Sequence, residues 1–154
     1  MPITNFGGLL NFAEEIEKQD MAFYNSVADN QDMSDLCDLF QGFAKDCKKN
    51  IVHILRTRRE NVTEMILEPI RDFFRKPFVL EAQNDKEMDR AQILDYSKKL
   101  ETRAIDYYTE GAVKIKALPE VAQALKLARK KRIAHTTKLS GIQYKTVRKK
   151  EKFL

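Results

Sequence analysis

Residues 9–24 read Leu9-Leu10-Asn11-Phe12-Ala13-Glu14-Glu15-Ile16-Glu17-Lys18-Gln19-Asp20-Met21-Ala22-Phe23-Tyr24. Leu9, Leu10, Ala13, Ile16 and Phe23, with Val27 beyond, recur at helical spacing and form one apolar face. Glu17 falls inside that face, because its neighbours one and two turns away are Leu10, Ala13, Met21 and Tyr24. A carboxylate in such a place costs free energy unless it is paired or holds a metal.

The pattern recurs further along the chain. At an offset of 84, Leu10 aligns with Leu94, Ile16 with Leu100, Glu17 with Glu101, Phe23 with Tyr107 and Tyr24 with Tyr108. Glu101 in turn lies among Leu94, Ser97, Ile105 and Tyr108. At an offset of 82, Phe43 aligns with Leu125 and His53 with His135. Half of the protein reads as a duplicate of the other half. Taken singly, Glu17 is also explained as a solvated member of the acidic run with Glu14 and Glu15, and Glu101 as a partner of Lys98 on its own helix. The shared offset with Tyr24 and Tyr108 favours a common role.

Four helical segments follow from the periodicity. The first runs from Gly8 to Asn30. The second runs from Met33 to Val62, with Asp32 or Ser34 as its cap, the third from Lys86 to Lys116, and the fourth from Leu118-Pro119-Glu120 towards Lys149. Residues 63–85 hold Pro69, Pro77, Phe73-Phe74 and Phe78-Val79-Leu80, a long connection with room for a short helix from Glu68 to Arg75. A helical hairpin over 8–62, a crossover over 63–85 and a second hairpin over 86–150 predict one all-α domain spanning 1–154. The arrangement is that of a ferritin-like four-helix bundle with one long crossover between helices 2 and 3.

Composition sets further bounds. The chain has 154 residues, 43% of them hydrophobic and 33% charged, with five Gly, four Pro and no Trp. That mix excludes collagen-like, disulfide-scaffold and disordered classes. No apolar run reaches the ~18 residues of a membrane span, and the N-terminus lacks the pattern of a signal peptide, so a cytoplasmic protein is expected. Cys37 and Cys47 stand about 15 Å apart along one helix, too far to pair with each other. The net charge of +5 is unevenly distributed: residues 121–154 carry eleven Lys or Arg against the single acid Glu151, whereas the first 120 carry seventeen basic and twenty-two acidic residues. The basic C-terminal helix predicts either a solvated face or contact with nucleic acid, anionic lipid or an acidic partner, without a recognition motif for nucleic acid.

The two histidines, His53 and His135, each follow a polar residue by three positions, Asn50 and Arg132 respectively. On the fourth segment Leu125, Ala128, Arg132, His135, Leu139 and Ile142 form one stripe. Phe12-Ala13-Glu14-Glu15-Ile16-Glu17 with Phe23-Tyr24, and Leu100-Glu101 with Tyr107-Tyr108, resemble the first and third helices of the rubrerythrin branch of ferritin-like diiron-carboxylate proteins. Carried over from that family, Glu17 and Glu101 match terminal carboxylate ligands, and His53 and His135 match histidine ligands. The bridging glutamates of the family are replaced here by Asn50 and Arg132.

The resemblance implies an iron-dependent oxidoreductase acting on oxygen or peroxide, a homodimer, and an external electron donor, since two cysteines cannot build the family's rubredoxin-like centre. The departures leave three states open: two irons, one iron or zinc held by Glu17, His53, Glu101 and His135, or no metal, with Arg132 paired to the two glutamates. In the last case the protein is a non-catalytic binding or structural bundle. Tyr24 and Tyr108 read as core aromatics.

Overall fold

The computed structural model describes residues 2–61 and 69–152, with side chains through residue 142. Its four α-helices form a helical bundle: α1 (Phe6–Ala28), α2 (Cys37–Glu60), α3 (Arg90–Lys114) and α4 (Pro119–Lys152). α1 packs along α2 and α3 along α4; further contacts join α2 to α4 and α1 to α3 and close the ring. Among the described residues no helix is long and apolar enough to cross a membrane.

Local chemistry sets the helix ends. Asn5 caps α1 by accepting from the Gly8 amide at 2.7 Å. Asp89 and Gln92 form a reciprocal capping box at the start of α3, at 2.8 and 2.9 Å. Pro119 opens α4, where its missing N–H costs nothing. Neither Asp32 nor Ser34 caps α2 as expected. The chain first makes a 3₁₀ segment over Gln31–Leu36, capped by Asn30, and enters α2 at Leu36 without a side-chain cap. α3 likewise starts at Arg90 instead of Lys86, because Asp85–Glu87 form a separate 3₁₀ turn capped by Asn84.

The short helix expected over Glu68–Arg75 does not form in its described part. The backbone of this stretch instead pairs with the N-terminal arm: Ile70 N–H donates to Thr4 O at 2.9 Å, and Ile3 N–H to Phe73 O at 2.7 Å. Phe73 then stacks on Tyr107 and Phe78 meets the same ring edge-to-face, which ties the segment to the bundle through its aromatic side chains.

The apolar core is in two parts. One gathers Phe6, Leu9, Leu10, Ala13 and Ile16 with Ile54, Ala104, Tyr107, Tyr108, Leu125 and Ala128. The other gathers Phe23, Tyr24 and Val27 with Phe40, Phe43, Cys47, Leu94, Leu100 and Leu139. On every helix buried polar residues lie between the two parts: Glu17 and Asp20 on α1, Asn50 on α2, Glu101 and Arg103 on α3, Arg132 and His135 on α4. A polar layer thus crosses the middle of the bundle.

Candidate functional site

Arg132 is the largest fully buried side chain of the described residues and stands at the centre of the polar layer. Nη1 donates to Glu101 Oε1 at 3.0 Å and to Cys47 Sγ at 3.4 Å. Nη2 pairs with Asp20 Oδ2, and Nε lies 3.6 Å from Glu17 Oε1. A second guanidinium, that of Arg103, donates to Asp20 Oδ1 at 2.6 Å and to the Phe78 carbonyl at 3.0 Å. Three carboxylates from α1 and α3 therefore face two permanent cations.

The remaining negative charge is met by neutral donors and by histidine. Tyr24 on α1 donates to Glu101 on α3, and Tyr108 on α3 donates to Glu17 on α1, each at 2.5 Å. The duplicated Glu–Tyr pairs of the sequence are thus exchanged across the bundle. Asn50 Nδ2 adds a donor to Glu17 Oε1 at 3.0 Å. His135 places Nδ1 3.0 Å from Glu101 Oε1 and Nε2 2.8 Å from Asp46 Oδ2. Both of its partners are carboxylates, so each ring nitrogen faces an acceptor. Phe43 stacks on its ring, with centroids 4.1 Å apart. Asp46 is one-third exposed and links this buried chain to solvent.

Burial and charge act against each other here. Burial pushes Asp20 up from 3.8 to about 6, although Arg132 and Arg103 pull it down. Burial, reinforced by the neighbouring glutamates, drives the Tyr24 and Tyr108 hydroxyls well above their ordinary value and keeps them as donors. It raises the Cys47 thiol as well. For Arg132, burial opposes the charged form, but Glu101 and Glu17 outweigh it and hold the guanidinium protonated. Glu17 Oε2 and Glu101 Oε2 are buried without a hydrogen-bond partner among the described residues.

Of the six residues singled out in the sequence, Glu17, Asn50, Glu101, Arg132 and His135 meet in this layer, and His53 stands apart. His53 is half-buried and lines a concavity on the outer side of α2 with Lys45, Lys48, Lys49, Val52 and Arg56. Its repeat partner His135 is buried because the neighbours differ. Ile54 follows His53 and takes the inward place on α2, whereas the polar Thr136 follows His135 and leaves the interior to the histidine.

Three residues of the layer were not singled out in the sequence: Asp20, Asp46 and Arg103. Asp20 had a signal, since it stands three residues after Glu17 and four before Tyr24, on the same face. Asp46 and Arg103 lie at the edges of their helical stripes and are identified only by their partners across the bundle.

The donor set does not fit a two-cation centre. Arg132 fills the space between the carboxylates with a fixed positive charge, Asn50 offers a neutral amide, and His53 is outside. Among the described residues no group of three or more His, Cys, Asp or Glu is arranged to hold a metal ion. No protein-family model, no curated protein and no solved structure matches the chain.

Proposed function

We propose that this protein is a ferritin-like bundle of the rubrerythrin type whose diiron site has been converted into a metal-free ion cluster, and that it serves as a non-catalytic binding or structural module. The single observation that carries this reading is the Arg132 guanidinium, bonded to Glu101 and Asp20 and 3.6 Å from Glu17. It offsets charge where the family would use cations, and buried carboxylates persist when so paired. The pairing of α1 with α2 and of α3 with α4 supports the ferritin-like connection of two hairpins. The exchanged Tyr24–Glu101 and Tyr108–Glu17 bonds support descent from a symmetric site.

The unpartnered oxygens of Glu17 and Glu101 favour a second reading, in which these carboxylates and His135 rearrange around a single cation that they do not enclose in this structure. Metal content per chain separates the two. The protein is purified without chelators, loaded anaerobically with ferrous iron and desalted. The proposal expects no retained metal in the wild type and retention in the double variant N50E/R132E, which restores the two missing carboxylates. About one iron per wild-type chain establishes the second reading. Two irons per wild-type chain overturn both and turn attention to peroxide turnover. A folded N50E/R132E protein that retains none refutes the descent from a metal site.

A further inference from the structure

The Asp46–His135 bond marks the seam along which α2 and α4 meet. Lys49 and His53 stand three and seven residues beyond Asp46, and Lys131 and Lys138 stand four before and three after His135. Helical spacing puts these residues on the sides of α2 and α4 that border the seam. Further round α2, on its outer side, Lys45, Lys48, Lys49, Val52, His53 and Arg56 line a concavity of about 460 Å³.

Counter-charge is scarce on this face. From Lys45 to Arg59 the one acid is Asp46, which His135 already engages, and from Val121 to Ile142 there is none. Among the described residues none of Lys45, Lys48, Lys49 and Arg56 forms an ion pair, unlike Lys18, Arg75, Arg90 and Lys99 elsewhere on the surface. The sequence alone assigned the basic excess to the last helix. The packing adds a second row of cations from α2.

We infer that the α2–α4 face binds the phosphate backbone of duplex nucleic acid without reading its sequence. Rows of cations on two rigid neighbouring helices match the regular charge of a duplex. The described aromatic side chains of α2, Phe40 and Phe43, are buried, and the described part of α4 carries none. Stacking on unpaired bases therefore has no platform here, and backbone contact is what remains. Lysines act on phosphate as point charges, and Arg56 adds a planar donor. The inference is independent of metal content, because the residues altered in its test do not touch the buried cluster.

The test is fluorescence anisotropy of a labelled 30-base-pair duplex of arbitrary sequence, titrated with the full chain at 50, 100 and 200 mM KCl. Neutralising about five phosphates gives a log–log salt slope of about −4.5, so affinity drops by roughly 500-fold between 50 and 200 mM. The variant K45E/K49E/R56E changes exposed side chains only; it should keep the wild-type circular dichroism and lose at least about tenfold in affinity at 100 mM salt with a shallower slope. K131E/K138E, on the other side of the seam, should act in the same direction. Three results overturn the inference: no duplex binding at 50 mM salt, binding unchanged in both variants, or saturable binding to phosphatidylserine vesicles that excess duplex does not compete.

Discussion

Replacing Arg132 by Met removes the central cation at nearly constant volume and leaves Glu17, Asp20 and Glu101 buried together. Arg103 still pairs with Asp20, so the uncompensated charge falls on the two glutamates. Breaking a buried pair by removing one partner costs about 3–5 kcal/mol. An independent bound agrees: the pair of glutamates can escape most of its mutual repulsion by taking up one proton, which for an ordinary pKa of about 4.3 costs about 4 kcal/mol at pH 7.

For a domain of this size each kcal/mol moves the melting temperature by about 2–4 °C, so R132M should melt roughly 8–16 °C lower at pH 7. The penalty must shrink with pH, to about 1 kcal/mol at pH 5, because the escaping proton becomes cheaper. Thermal unfolding followed by circular dichroism at both pH values measures it. The triple variant E17Q/E101Q/R132M should recover most of the loss at pH 7, since an apolar and neutral replacement of a whole ion cluster is tolerated. A loss under about 1 kcal/mol at pH 7, or an equal loss at pH 5 and pH 7, would refute the assignment of Arg132 as the compensating charge.

Other outcomes follow from the same layer. Asp20 binds its proton more tightly folded than unfolded, so its contribution is largest below pH 4 and is lost as pH rises through about 6. Up to about 3 kcal/mol of pH dependence should thus separate the wild type from D20N between pH 4 and pH 7, as read from urea unfolding. H135A, which breaks bonds to Glu101 and Asp46, should cost about 1–3 kcal/mol, whereas H53A should stay within about 0.5 kcal/mol. Thiol titration of the native protein should modify the partly exposed Cys37 first. The buried Cys47, its thiol raised by burial, should react only under denaturant.

Much of the architecture was legible in the sequence because apolar periodicity is a local property. The 3.6-residue repeat fixed four helices and their buried faces, and Pro119 marked where α4 starts. The offset of 84 identified Glu17, Glu101, Tyr24 and Tyr108 as related, and they do meet in one layer, whereas the histidines paired by the offset of 82 do not. What failed was mostly boundary chemistry. The 3₁₀ segment before α2 follows from the Asn30 cap, which competes with the caps the sequence offered, and the extended stretch before Lys76–Phe78 depends on backbone partners far away in the chain, Ile3 for Phe73 and Thr4 for Ile70.

The sequence by itself determined that charged residues interrupt apolar helical faces at repeating positions. Only the tertiary structure decided which charges meet. Helical spacing defines a face to within about 100° per residue, so it cannot say whether His53 or Ile54 points inward; competition for burial between adjacent side chains decides that. Nor can it say that Asp20 and Arg103 join Arg132, or that the cations of α2 lie beside those of α4. Electrostatic pairing depends on distances across the bundle, and these exist only once the helices have packed.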